Sequence, residues 1–98
     1  MKKKKYTPPF AFALSWFEPE QWQELRATVD DLADLHDSYE NWLADAERLV
    51  NRCSKQGQRV AKVRYEIAEW AAWCERHNLR KDGKARSQYA GELAKRLR

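Results

Sequence analysis

Apolar residues recur along this chain with two different periods, and each period predicts one type of secondary structure. Over residues 10–17 they alternate, with aromatic side chains on one face and mostly small ones on the other, which predicts a β-strand. Over residues 22–35 and 39–53 they recur every three or four residues, which predicts two amphipathic helices. The first of these helices is expected to end near Leu35.

Residues with special backbone preferences set the expected ends of these helices. Pro19 suits the first turn of the first helix, because a proline there loses no intrahelical hydrogen bond. Asp37 or Ser38 can cap the second helix with its side-chain oxygen. Gly57 is expected to end the second helix.

Residues 60–66 fit both periods. Val60, Val63 and Ile67 continue at helical spacing, but the segment also alternates and is rich in β-forming residues. We therefore predict a strand at 60–66, followed by a helix from about Ile67 to His77. After a polar turn at 78–83, a last helix is predicted over 84–97.

The predicted order is β-α-α-β-α-α, a mostly helical α/β (or α+β) fold with a small two-stranded parallel sheet. The alternative is an all-α arrangement of four helices with an extended N-terminal segment. With 98 residues, the chain is expected to form one compact domain over 10–98, preceded by a flexible basic arm at 1–9. Two strands alone leave exposed edges, so a homodimer formed through a sheet edge is a further expectation.

Charge is sorted along the chain. Residues 1–17 carry Lys2, Lys3, Lys4 and Lys5 and no acid. Residues 18–50 hold ten acids against two arginines, and residues 51–98 hold thirteen basic residues against five acids. Such sorting indicates either a basic surface that binds an acidic partner or two halves that neutralise each other.

The composition of the chain predicts the cellular compartment of the protein. The longest apolar run, residues 10–17, is too short to cross a membrane, which takes ~20 residues. The bulky residues after it differ from a signal-peptide cleavage site. Two isolated cysteines, Cys53 and Cys74, are typical of reduced thiols, so we expect a cytoplasmic protein.

Signatures of catalysis and of metal binding are weak in this sequence. It has no glycine-rich phosphate loop and none of the common hydrolase or metalloprotease motifs, so we predict that it is not an enzyme. Cys74 and His77 are three residues apart, so they could supply two of the four ligands of a zinc ion. Cys53 and His36 could supply the other two. Because both cysteines fall on apolar stripes, we predict no metal and no cofactor.

Four short patterns are spaced along the chain: W-F-x-P-E-x-W from Trp16, Y-x-x-W-L-x-x-A-E from Tyr39, W-C at Trp73 and G-K-A-R-S-x-Y-A from Gly83. Over roughly residues 10–90 they resemble a group of small uncharacterised bacterial proteins. Members of that group are more acidic just before the third helix, where this chain has Ala68. The resemblance implies a strand before the third helix, and it implies no function and no catalytic residue.

The basic, aromatic C-terminal half gives the most concrete hypothesis, which is contact with nucleic acid or a ribonucleoprotein. Trp73 lies off the apolar stripe of its helix, so we expect it to be exposed beside several cations. An exposed indole in a positive field can stack on unpaired bases. The candidate binding residues are Lys2, Lys3, Lys4, Lys5, Trp73, Arg76, Arg80, Lys81, Lys84 and Arg86.

The alternative hypothesis is a protein–protein adaptor or a small inhibitor protein. The acidic face of residues 18–50 could bind a basic partner through electrostatic complementarity. Its candidate residues are Asp30, Asp31, Asp34 and Asp37. Both hypotheses require that the opposite charges lie on separate outer surfaces. Both fail if the C-terminal arginines pair with the early carboxylates and Trp73 is buried.

Overall fold

The computed structural model describes residues 12–96, and in that range it contains two strands and four α-helices. Their bounds are β1 Phe12–Ser15, α1 Trp22–Thr28, α2 Tyr39–Lys55, β2 Val60–Val63, α3 Ile67–Arg76 and α4 Gly83–Lys95, with 3₁₀ turns at Pro19–Gln21 and Leu32–Asp34. This order confirms the predicted fold class, and the all-α alternative is wrong. The predicted basic arm lies outside the described residues.

The two strands pair in parallel, as predicted. Phe12 lies opposite Val60 and Ser15 lies opposite Val63, and the Trp16 N–H continues the ladder by donating to the Val63 carbonyl at 2.8 Å. Helices α1 and α2 form the crossover that a parallel pair requires. The second strand ends at Val63, three residues before the predicted end.

Helices cover both faces of this small sheet. Ser15 points toward α4, where its hydroxyl donates to the Arg86 carbonyl at 3.2 Å. Trp16, the next residue, points the other way and contacts Trp42 of α2, with ring centroids 5.3 Å apart. The largest fully buried side chains come from α1 and α3: Leu25, Ile67, Trp70 and Cys74.

The first helix is shorter than its apolar period predicts. It ends at Thr28, and Val29 has extended backbone, with φ −72° and ψ 152°. The next residue, Asp30, donates its N–H to the Lys81 carbonyl at 2.9 Å. A long-range backbone hydrogen bond therefore takes the place of the helical hydrogen bonds that would have extended α1 to Leu35.

Other helix ends follow the local signals. Ser38 caps α2, because its hydroxyl accepts the Asn41 N–H at 3.1 Å, so Asp37 is not the cap. Gly57 follows the end of α2 with φ +77°, a conformation that glycine adopts without strain. In β1, Ser15 of the predicted small face is buried, and Phe12 of the predicted aromatic face is exposed.

Within residues 12–96, no helix has both the length and the apolar character that crossing a membrane would require.

Candidate interaction surfaces

The acidic segment after α1 binds the N-terminal turn of α4. Arg86 and Asp31 form a two-pronged ion pair, with Nη1–Oδ1 and Nη2–Oδ2 distances of 3.1 and 3.0 Å. The two side chains are only 12% and 9% exposed. Such a desolvated, bidentate pair is among the stronger polar contacts in a protein. Opposite charges from the two halves of the chain are therefore joined at this point.

Backbone groups reinforce this contact. The Asp30 carboxylate accepts the Lys81 N–H at 2.9 Å, and the Asp31 carboxylate accepts the Gly83 N–H at 3.0 Å. Asp82 caps α4 by accepting the Ala85 N–H at 3.0 Å. Asp31 and Asp82 satisfy N–H groups that the start of α4 leaves unpaired, and their negative charge complements the positive end of the helix dipole.

The ion pair with Arg86 lowers the pKa of Asp31. Burial alone would raise the pKa of this carboxyl group, but the hydrogen bond and charge of Arg86, together with the Gly83 N–H, outweigh that effect. The pKa of Asp31 therefore lies below its ordinary value of 3.8. Asp31 is therefore ionised at neutral pH, as its pairing with Arg86 requires.

Trp73 is buried, which corrects the expectation that it is exposed. It is 7% exposed and packs against Tyr89 of α4, with ring centroids 5.1 Å apart. Trp73 also contacts His77, with ring centroids 4.9 Å apart. The side of α3 that the apolar stripe leaves uncovered is covered by α4. No stacking surface for bases exists at this residue.

The predicted cations of the C-terminal half are divided between different partners. Arg80 donates to the Asp30 carbonyl at 3.1 Å and lies 3.7 Å from Asp82, and Lys81 lies 3.3 Å from Glu75. Arg76 and Lys84 are exposed, with no carboxylate within 4.0 Å among residues 12–96. Within the predicted set, Trp73 and Arg86 are taken into the fold, whereas Arg80 and Lys84 line one cavity. Lys2, Lys3, Lys4 and Lys5 lie outside the described residues.

The predicted acidic face is divided in the same way. The Asp31 side chain is bound to α4 and is 9% exposed, so the expectation that it faces outward is wrong. Asp30, Asp34 and Asp37 are exposed, although one Asp30 carboxylate oxygen accepts the Lys81 N–H.

The residues considered for zinc do not come together. Cys74 is fully buried, and burial raises the pKa of its thiol. The His36 Nε2 atom lies 2.7 Å from an Asp45 carboxylate oxygen, and Asp45 also contacts Arg48. In the part of the chain that the structure describes, no three His, Cys, Asp or Glu side chains are grouped as metal ligands.

Strand β2 has one edge with no partner strand. Because the Val63 carbonyl accepts the Trp16 N–H, and because backbone groups alternate sides along a strand, Ala61 and Val63 face β1. The N–H and C=O groups of Lys62 and Arg64 therefore point away from β1. No backbone hydrogen bond reaches them from any residue in 12–96.

An open cavity of about 380 Å³ follows this edge, lined by Lys62, Val63, Arg64, Leu93 and Arg96. We call these five residues the β2 groove. Val63 and Leu93 give it an apolar base, and three cations border it. The groove lies between the outer edge of β2 and the last turns of α4.

A second cavity of about 640 Å³ continues the groove past the carboxyl end of β2 and shares Arg64, Leu93 and Arg96 with it. Four acids line this continuation: Glu18, Glu20, Glu66 and Glu69. Tyr65 also lines it, and burial raises the pKa of Tyr65 to about 12, so its hydroxyl stays protonated beside Ser15. The surface therefore changes from basic to acidic along its length.

The cations of the β2 groove are only lightly engaged. Arg64 Nε donates to Glu18 Oε2 at 2.7 Å, but both side chains are about half exposed. The Lys62 ammonium lies over the Trp16 ring, 4.5 Å from its centroid. Sequence reasoning missed this surface, although the alternation of Val60, Lys62 and Arg64 was a visible sign of an outward-facing row.

The fold and these surfaces define a small, mostly helical α/β domain built on a two-stranded parallel sheet with an open basic edge. The chain belongs to the protein family described as "Domain of unknown function (DUF8829)", which matches residues 16–97. This confirms the predicted relation to an uncharacterised group, and the quoted sequence patterns stay a prediction. No match is found among curated proteins or among solved structures.

Proposed function

We propose that this protein is a non-catalytic interaction module that binds an extended peptide segment along the outer edge of β2. In this mode the peptide adds a strand to the sheet, and backbone hydrogen bonds supply the affinity. The observation that carries the proposal is the pair of outward-facing backbone units at Lys62 and Arg64, which have no hydrogen-bond partner among the described residues.

The position of α4 supports the choice of β2 over β1. Helix α4 packs mainly against β1 and only slightly against β2. It therefore leaves the outer side of β2 open, with Val63 and Leu93 at the base of the groove. An added strand would gain backbone pairing and would also cover these apolar side chains.

The chemistry of the same edge disfavours a second copy of this chain as the occupant. Two β2 edges meeting antiparallel would bring Lys62 and Arg64 toward the same residues of the other copy. Like charges directly opposite each other across strands are destabilising. Charged residues on an edge strand are also a common protection against self-association. The predicted homodimer therefore gains no support from β2.

A substitution at Lys62 tests strand addition. Peptides of ten residues selected from a random display library against the protein serve as probes. Lys62→Pro removes an N–H that only an added strand would use, and a proline is tolerated at such an edge position. We expect Lys62→Pro to abolish peptide binding. Lys62→Thr removes the same charge but keeps the N–H, so it is the matched control and should lose much less binding than Lys62→Pro.

The readout is the amide spectrum of the protein. Bound peptides should protect the Lys62 and Arg64 amide protons from exchange, and Val63 protection should show that both variants remain folded. Enrichment of no peptide, or peptides that bind Lys62→Pro as well as they bind the unaltered protein, would show that the edge does not accept a strand.

Nucleic-acid binding is a second candidate, at a different place from the predicted one. Arg52, Lys55 and Arg59 are exposed around the end of α2, and none has a carboxylate within 4.0 Å among residues 12–96. Phosphate contacts by such residues make affinity fall steeply with salt. Changing all three residues to Gln should weaken binding of a random-sequence oligonucleotide and flatten its salt dependence. Unchanged binding would remove this candidate.

A further inference from the structure

We infer that the segment bound by the β2 groove is acidic, with carboxylates at alternate positions opposite Lys62 and Arg64. This inference rests on the proposed function. It concerns the chemistry of the partner, which strand addition alone leaves open, because backbone hydrogen bonds do not distinguish side chains.

The spacing of the cations supports this chemistry. Lys62 and Arg64 are two residues apart, so their side chains leave the same face of β2 about 7 Å apart along the strand. Alternate residues of an added strand have the same spacing. Carboxylates at those positions would therefore face the two cations directly, in the arrangement in which opposite charges across strands stabilise a sheet.

A third cation borders the groove from α4. Arg96 lines both the β2 groove and its continuation, and no carboxylate lies within 4.0 Å of it among residues 12–96. The exposed Arg64–Glu18 pair is of the kind that contributes at most about 1 kcal/mol, so an incoming carboxylate can take the place of Glu18.

The acidic continuation limits where the partner's negative charge can lie. Beyond Arg64 the surface is lined by Glu66 and Glu69 among others. Carboxylates placed there would meet like charge. The inferred segment is therefore acidic beside Lys62 and Arg64 and lacks acids at the end that reaches Glu66.

Charge also excludes two nearby occupants. Residues 1–11 carry four lysines and no acid, so they have the wrong sign for a groove bordered by three cations. A second copy would place cations opposite cations, as argued above. A separate acidic peptide is the occupant that the charges favour.

Three synthetic ten-residue peptides test the inference, each alternating valine with glutamate, serine or lysine. We expect the glutamate peptide to bind about tenfold more tightly than the serine peptide at low salt, and the lysine peptide to bind least. The double variant Lys62→Glu with Arg96→Glu should reverse this order. Lys84→Glu with Lys95→Glu has the same net charge, changes residues outside the groove and should keep the original order.

The outcomes separate the inference from the proposed function. If peptides protect the Lys62 and Arg64 amides but all three bind equally, the charge inference is wrong and strand addition stands. If no peptide protects those amides, both fail. If the control variant reverses the order as strongly as the groove variant, the effect is one of net charge, and the inference is overturned. A dimer seen by light scattering that Lys62→Pro converts to a monomer would also overturn it.

Discussion

Two basic regions of this domain lie in the same half of the chain, but their cations have different surroundings. Around the start of α4, the Arg86 guanidinium pairs with the Asp31 carboxylate inside the fold, and the Lys81 backbone N–H donates to Asp30. Along β2, Lys62 and Arg64 have one exposed ion pair between them within residues 12–96, and they border an open groove. The first region is used for stability, and the second is available to a partner.

These two regions show that the distribution of charge along a sequence does not determine where charge is exposed on the folded protein. The acidic segment is concentrated enough to neutralise the basic half, but it contacts that half mainly at one place. The sign of a surface therefore depends on which carboxylates the fold brings within reach. Four predictions, from the largest expected effect to the smallest, test the contrast.

Trp73→Ala should destabilise the protein by about 3–5 kcal/mol, because it removes a buried indole between α3 and α4. Urea unfolding followed by tryptophan fluorescence measures the effect. Lys84→Ala, on the exposed side of α4, is the control and should change stability by less than about 0.5 kcal/mol. A small effect of Trp73→Ala would place the indole at the surface and restore it as a stacking candidate.

Arg86→Met should cost about 3 kcal/mol, because it leaves the Asp31 carboxylate buried without its partner. Arg80→Met is the matched control. Arg80 is 66% exposed, so its loss should cost less than about 1 kcal/mol. A double-mutant cycle with Asp31→Asn isolates the coupling between the two side chains. If the two substitutions change the free energy of unfolding additively, Arg86 and Asp31 are not coupled, and the pair does not join the acidic and basic halves of the chain.

Acid should weaken the domain partly through Asp31. Its folded pKa lies below the usual value, so the unfolded chain binds the proton more tightly. The stability from this group is fully present above about pH 5 and is lost as pH falls through the folded pKa. Asp31→Asn should therefore lower stability at pH 7 and flatten its decline below pH 5. If Asp31→Asn instead lowers the free energy of unfolding by the same amount at every pH, Asp31 is not the group responsible for the decline in acid.

Lys62→Thr should change stability least, by about 1 kcal/mol or less, because it loses only the contact with the Trp16 ring. Thermal unfolding measures this. Its effect on binding of the glutamate peptide should be larger than its effect on stability. A large loss of stability would show that Lys62 belongs to the structural charges, as Arg86 does.

Local patterns predicted much of this fold. The stripe of α2, the cap at Ser38 and the alternation in β2 depend on neighbours in sequence, and the two-strand order followed from them. The end of α1 was mispredicted, because Asp30 and Asp31 bind residues about 50 positions away. No local period carries that information.

The candidate sites were harder to predict for the same reason. The burial of Trp73 depends on where α4 lies, and the pairing of Arg86 depends on the loop after α1. Both depend on which elements pack together in the folded protein. The sequence shows that these residues are apolar or charged, but it does not show which residues they contact. The outward row at Lys62 and Arg64 was visible in the sequence, but its importance came from the missing partner strand.

Amide hydrogen exchange tests the central contrast most directly. Ala61 and Val63 donate toward β1, and Lys62 and Arg64 donate toward the open side. In the free protein we predict that the Lys62 and Arg64 protons exchange on the order of a hundredfold faster than those of Ala61 and Val63. Equal protection at all four amides would mean that the edge is already occupied, and it would contradict the account.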